Sequence, residues 1–230
     1  LRRRVRCRLS LNKRYGCLSR EEAVSLAEAY GCSLGEEGPA VVLECPDCAV
    51  ARRAAFARPV ESPRDKPLEM RERSVVTMDA LTARLLANLA MSRPLSRVLE
   101  PFVGSGAIAA EAERYGAYVV GVDIDISMLR RAARNTSADL VQADSRILPF
   151  RRAFDAAVGD APYGRMSVVE GDVEGLVRQF LDEAMSIVKG RVVLALPIYF
   201  DAPQLRSCAM YIHGGLYRVI ALAQSGGGPS

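Results

Sequence analysis

Three acids stand where an alternating α/β chain would meet a ligand. In Val98-Leu-Glu100-Pro-Phe-Val-Gly104-Ser-Gly106 a short apolar run ends in an acid and passes into a glycine-rich turn. Gly104 and Gly106 carry no Cβ, so backbone and ligand can approach closely. Glu100 would repel a pyrophosphate and favours a cation. Asp123 closes the run Val119-Val-Gly-Val-Asp123, 17 residues beyond Gly106. An acid at about that spacing can accept both ribose hydroxyls of an adenosine. Asp144, in Gln142-Ala-Asp144, could accept the adenine amino group. Each acid also has a plainer use: a surface glutamate on a tight turn, a helix N-cap (a job open to Asp125 as well), a loop aspartate. Taken together they suit S-adenosylmethionine, whose ammonium and sulfonium are cations and whose body is an adenosine. Phe102, Ile124 and Ser145 flank these acids and complete the candidate cofactor set around Glu100, Gly104, Gly106, Asp123 and Asp144.

The sharpest signal is Asp160-Ala161-Pro162-Tyr163, directly after the apolar run Phe154-Asp-Ala-Ala-Val158. It resembles the (Asn/Asp)-Pro-Pro-Tyr loop of amino-methyltransferases. An exocyclic amine on a base is a poor nucleophile, because its lone pair is delocalised into the ring. Two acceptors must hold its hydrogens so that the lone pair faces the methyl group. The resemblance gives one of these roles to the Asp160 carboxylate and the other to a loop carbonyl, that of Ala161. Pro162 stiffens the loop, and the Tyr163 ring offers a stacking face worth about 1–3 kcal/mol per base. Asp160 would border both cofactor and base.

The elements that must position these residues alternate. Leu81, Leu85, Leu86 and Leu89 share a helical face after a cap at Thr77 or Asp79. Strands are expected at 97–100, 118–122, 140–142, 155–158 and 191–196, with helices from Gly104 to Tyr115, 126–135 and 173–188. A hairpin is expected from 209–212 and 216–222 around His213-Gly-Gly215. Such alternation predicts an α/β fold: a Rossmann-like, doubly wound, mostly parallel seven-stranded sheet with a C-terminal antiparallel hairpin. A small N-terminal α/β unit precedes it. There Val5–Leu11 reads as a strand, Ser19 as the N-cap of a helix to Tyr30 with Glu22 closing a capping box, and Val41–Leu43 as a strand. Val50–Phe56 reads as a helical turn or two. Pro59–Pro67, with three prolines, reads as a linker. The expected organisation is a basic N-terminal unit and linker over 1–66, a main domain over 67–223 and a flexible tail over 224–230.

Half of the 230 residues are apolar and a quarter charged, which excludes disorder and fibrous classes. No apolar run reaches the length of a membrane span, and no signal core follows the basic start, so a cytoplasmic, non-membrane protein is expected. Residues 1–73 hold 15 basic and 11 acidic side chains, and the remainder 16 of each. The excess peaks at Arg2, Arg3, Arg4, Arg6 and Arg8. Such a run suits a phosphate backbone, and equally a strand edge guarded by charge. Only three of the 31 basic residues are lysines. Cys45-Pro-Asp-Cys48 has the spacing of a zinc knuckle, but a second ligand pair at helpful spacing is missing, so no metal is expected. The six cysteines read as buried or free thiols, with a disulfide as the alternative that hyperthermophile proteins allow.

The four motifs, in order on strand ends, resemble the class I S-adenosylmethionine-dependent methyltransferases over roughly 74–222. The run Arg73-Ser-Val-Val-Thr-Met78, with Glu-Pro-Phe-Val-Gly-Ser-Gly, Gly-Val-Asp-Ile-Asp125, Gly164-Arg165 and His213…Leu216-Tyr-Arg218-Val-Ile, is similar to the archaeal tRNA guanine-N2 methyltransferases acting at guanosine 10, and to their eukaryotic relatives. That resemblance implies methyl transfer to a guanine N2 in tRNA, with S-adenosylhomocysteine as product. Thr77 and Met78 would line the methionine end of the cofactor, and Arg165 would join the N-terminal arginines on RNA. A small activator or RNA-binding protein is an implied partner. Two departures stand out. Ala161 replaces the usual proline, and no RNA-binding THUMP domain is recognisable, the first 60 residues matching at most a reduced ferredoxin-like piece. The alternatives are an adenine-N6 or ribosomal guanine-N2 methyltransferase, and a catalytically degenerate cofactor-binding subunit.

Overall fold

Alternation along β1 (Val5–Ser10) buries Cys7 and Leu9 and exposes Arg6 and Arg8. In the computed structural model, which describes residues 4–72, 77–162, 173–197, 205–213 and 216–224, this strand sits inside an antiparallel sheet of order β2-β3-β1-β4. Its neighbours are β2 (Ser33–Glu37), β3 (Ala40–Cys45) and β4 (Arg58–Pro59). β2 is exposed along its length, so no burial alternation announced it. Helices α1 (Gly16–Tyr30) and α2 (Ala49–Arg52) complete the unit. Arg2, Arg3, residues 73–76, Tyr163, Gly164, Arg165 and the expected tail beyond Gln224 lie outside the described residues.

The second sheet has the order β10-β11-β9-β8-β5-β6-β7. Its strands are β5 (Arg97–Glu100), β6 (Tyr118–Asp123), β7 (Asp139–Gln142), β8 (Phe154–Asp160), β9 (Val188–Leu196), β10 (Leu205–His213) and β11 (Leu216–Gln224). Strands β5 to β9 pair in parallel, and β11 pairs antiparallel with both β9 and β10. The α/β, mostly parallel architecture with its terminal hairpin is therefore as the sequence implied. Helices α3 (Ala80–Leu89), α4 (Ala107–Arg114), α5 (Ile126–Asn135) and α6 (Val173–Ile187) cover the sheet. Val98 faces the core beneath α3 and α4, and its neighbour Leu99 faces the core beneath α6, as a strand buried on both sides requires. The winding reverses between β5 and β8, which opens a crevice at the carboxyl ends of the strands. Among the described residues no helix is long and apolar enough to cross a membrane.

Several expectations in the N-terminal unit are corrected. Helix α1 begins three residues before Ser19, whose hydroxyl is buried and accepts from Asn12 N. Glu22 closes no capping box. It is buried, and its carboxylate accepts from the N–H groups of Ala55, Phe56 and Ala57 and from Asn88 Nδ2, all within 2.8 Å. Asp79, rather than Thr77, caps α3 by accepting from Thr82 N. The cysteines are not thiols. Cys7–Cys48 and Cys32–Cys45 bond within the small unit, so Cys45 and Cys48 are each committed elsewhere, and Cys17–Cys208 bonds α1 to β10. Spacing missed this because the partners meet only across the folded sheet.

Buried arginines join the pieces. Arg53 donates to Asn88 Oδ1 and Ser92 O and lies 3.8 Å from the Tyr115 ring centroid. Arg191 on β9 reaches Ser25 and Glu28 of α1. Arg84 on α3, fully buried, forks onto Glu111 of α4 and donates to the carbonyls of Asp65 and Lys66. The proline-rich stretch is thus strapped to the main sheet's helices rather than left loose.

Removing one partner of a buried pair strands the other charge, at a cost of about 3–5 kcal/mol. Arg84→Met is expected to lower the unfolding free energy, read by urea titration, by that order, and the double variant Arg84→Met/Glu111→Leu to recover most of it. Equal stability of the single variant and wild type would show that the pair is not the strap.

Candidate active site

A cavity of about 210 Å³ opens at the crevice, and most of the acids picked from the sequence line it. Glu100 ends β5, Asp123 ends β6, Asp144 follows β7 and Asp160 ends β8. Met78, Phe102, Gly104, Ile124, Ser145, Ala161 and Pro162 share the wall. Met78 and Phe102 join Ile108, Met128 and Leu176, which sequence reading missed, to make it largely apolar. Met128 sits one turn into α5 and could have been found from that position. Thr77 and Gly106 lie off the wall. Thr77 Oγ1 is 3.2 Å from Ser105 Oγ, which ties it to the turn. Gly106, at φ +82°, lets α4 start hard against α5, since a Cβ there would meet Thr136 at 3.1 Å. Gly159 plays a similar part on β8, where Pro101 and Phe102 lie across it at 3.2 Å from any Cβ.

The acids differ in how they are held. Asp125 takes the N-cap of α5, accepting from Ser127 N, which frees Asp123 for the turn. Asp123 accepts from Gly104 N and Asp125 N, both at 2.9 Å, and each oxygen keeps a lone pair beyond those bonds. Burial raises its pKa. Glu100 is 1% exposed, and its Oε2 has no hydrogen-bond partner among the described residues. Burial pushes its carboxyl well above the ordinary range, and the charges of Asp123 and Asp160 push further. Asp144 is different. The Arg146 guanidinium grips it from 2.5 to 3.0 Å and holds its pKa down, so the carboxylate expected to meet an adenine is already paired. Asp160 Oδ2 lies 3.6 Å from Arg218 Nη2. Arg218 comes from β11, within the run Leu216-Tyr-Arg218-Val-Ile that carries part of the family resemblance, but that resemblance gave it no role at the site.

Ala161 is where the chain departs from the Pro-Pro-Tyr pattern. Its N–H donates to Ala195 O at 2.9 Å, extending the β8–β9 ladder one residue past Asp160. A proline could not make that bond. The start of the loop is thus anchored by a hydrogen bond where the usual residue would stiffen it with a ring.

Arg6 and Arg8 of β1, and Arg4 just before it, belong to the small unit. Arg6 pairs with Glu37 and Glu44, Arg8 with Glu61, and Arg4 donates to Glu44 O. Their charge is largely matched within the small unit.

The wall fits a cation with an apolar body. An orphaned buried carboxylate oxygen and three mutually repelling acids call for positive charge, and the turn at Gly104 leaves room for close approach. Among the described residues no group of His, Cys, Asp and Glu could hold a metal ion.

Residues 71–208 match the family described as UPF0020, RMKL-like, methyltransferase domain. A tRNA (guanine(10)-N2)-dimethyltransferase of Methanothermobacter thermautotrophicus is 33% identical over 165 residues, covering 64% of this chain and 49% of that protein. A tRNA (guanine(6)-N2)-methyltransferase of Thermus thermophilus is 33% identical over 185 residues, covering 69% of this chain and 54% of that protein. The chain spans about half the length of the curated relatives it matches. The crystal structure of TrmN from Thermus thermophilus shares the fold, with a TM-score of 0.51 and 22% identity over 94% of this chain and 81% of that one.

Glu100 has a measurable signature. A carboxyl with a raised folded pKa gives its full stabilisation below the ordinary value of 4.5 and loses it as pH rises through the folded pKa. Without added ligand, the wild type is expected to lose resistance to urea as pH rises above the ordinary carboxyl range, and Glu100→Gln to lose less. Parallel profiles would mean that Glu100 titrates as an ordinary carboxyl.

Proposed function

The chain belongs to the RMKL-like methyltransferase domain family, and we propose that it methylates the exocyclic N2 of a guanine in tRNA, using S-adenosylmethionine. The observation that carries this reading is the single cavity shared by Glu100, Asp123 and Asp160 at the strand ends. The names of the relatives, tRNA guanine-N2 methyltransferases, supply the substrate class. When bound, S-adenosylmethionine supplies a methyl group made electrophilic by a positively charged sulfur.

Each residue then has a task. Asp123 accepts the ribose hydroxyls, and Glu100 offers its spare oxygen to positive charge. The apolar wall from Met78 to Leu176 excludes water. Serine and backbone groups around Ser145 remain for the adenine edge, since Arg146 holds Asp144. Asp160 and the loop carbonyl of Ala161 accept the two hydrogens of the guanine amine, aligning its lone pair. Held in this way, the nitrogen would face the methyl group that the bound cofactor would supply. The amine is acidic once methylated, and Asp160 relays its proton to solvent. Tyr163 offers its ring to the base, which must leave its stack to arrive. Arg218, 3.6 Å from Asp160 Oδ2, directs that carboxylate. Most of the rate comes from alignment, a contribution of about 7–11 kcal/mol in favourable cases.

A tRNA substrate supports a cytoplasmic location. Three disulfides there suit a hyperthermophile, in which intracellular disulfides persist.

The test is transfer of a labelled methyl group from S-adenosylmethionine to total tRNA, then nucleoside mass spectrometry. N2-methylguanosine is expected, and label in N6-methyladenosine alone would sink the reading. Asp160→Ala is expected to cut transfer by at least about a hundredfold while calorimetric binding of S-adenosylmethionine persists. Undiminished transfer would remove Asp160 from the chemistry.

A further inference from the structure

We propose that Arg14, Tyr211 and Tyr217 form a stacking platform for unpaired nucleotides that flank the target base, an inference that rests on RNA being the substrate. The registers place this group at the carboxyl edge of the sheet, the edge at which the cavity opens. Asp160 pairs with Ala195 on β9, and Leu196 with Val219 on β11, so β11 starts at the carboxyl edge where β8 ends. Arg218 reaches from there to Asp160. Side chains alternate along a strand, so Tyr217 turns to the opposite face from Arg218. It flanks the site rather than entering it.

The chemistry is that of a single-strand binding surface. Tyr217 is 54% exposed, and its ring lies 5.3 Å from that of Tyr211 at an interplanar angle of 68°. The Arg14 guanidinium lies 4.9 Å from the Tyr211 centroid and 5.2 Å from that of Tyr15. The Tyr15 hydroxyl donates to Tyr211 O at 2.8 Å, fixing the segment that carries Arg14 to the edge strand β10. Arg6, Arg8, Arg20 and Arg206 are all matched by carboxylates. Arg14 is held instead by aromatic faces, and no carboxylate among the described residues pairs with it. A guanidinium ordered by π contact keeps its charge and its N–H edge for a phosphate oxygen. Exposed aromatic rings beside such a cation stack bases without demanding a sequence. The arginine run of β1 has no comparable freedom, so the grip on RNA passes from the strand to the turn that follows it.

The test uses the 230-residue chain with a fluorescein-labelled, unmodified tRNA transcript, read by anisotropy and by methyl transfer. Arg14→Ala and Tyr217→Ala are each expected to weaken binding by roughly five- to tenfold. KM for tRNA should rise in step, with kcat at saturating tRNA, S-adenosylmethionine affinity and melting temperature unchanged. Tyr217→Phe, which keeps the ring, and Arg20→Ala, whose guanidinium is paired with Glu36, should bind as wild type. The proposal is overturned if the wild type methylates tRNA and the two alanine variants bind it equally well, as a surface meant for a protein partner would give. It is overturned too if Tyr217→Phe is as weak as Tyr217→Ala. A wild type that neither binds nor methylates any tRNA overturns the functional reading beneath it.

Discussion

Like charges crowded into one crevice set the terms for this molecule. Glu100, Asp123 and Asp160 end adjacent strands, and parallel pairing brings the ends together. The fold cannot separate them without giving up its sheet. It copes by different means at each acid. Asp123 receives two backbone N–H donors from the turns beside it. Asp160 has the Arg218 guanidinium nearby. Glu100 is left buried with an oxygen unanswered, the arrangement that stays costly until a cation arrives. The site is thus specified by a deficit of positive charge as much as by its shape.

Arginine answers a related demand elsewhere. Arg53, Arg84 and Arg191 are buried where the small unit and the proline-rich stretch meet the main sheet. Each satisfies several acceptors from one planar fork, including carbonyls that no sheet or helix partner could reach. A lysine in such a place would present a point charge to a spread of acceptors. The excess of arginine over lysine has, at these three positions, a structural use.

Much of the main sheet was legible in the sequence because its strands are buried on both faces and punctuated by glycine and acids. Glu100, Asp123 and Asp144 could be read from their spacing on strand ends, and Asp160 from the resemblance of its loop to a known motif. What spacing could not show was pairing in space. Asp144 looked available until Arg146, two residues on, folded back over it. Arg218 stood in a run that resembles the family, but its place beside Asp160 comes from a register across β9. Glu22 mimicked a capping box because Ser19 stood three residues before it, but tertiary donors from 55–57 claimed it. The arginines of β1 read as a free basic patch because their acidic partners Glu37, Glu44 and Glu61 are distant in sequence. β2 was invisible for the simplest reason, having no buried side to leave a pattern. Ala161 reads as a lapse from a motif, yet it contributes the one N–H that a proline would lack.

The Cys17–Cys208 bond spans 191 residues and links the first helix to the last hairpin. It turns most of the polypeptide into a ring. By the chain-entropy account, closing a ring of that size removes about 5 kcal/mol of freedom from the unfolded ensemble at 25 °C. A ring also behaves differently when cut. A single nick in any loop between those cysteines leaves one covalent molecule, whose cut ends stay tethered and can find each other again.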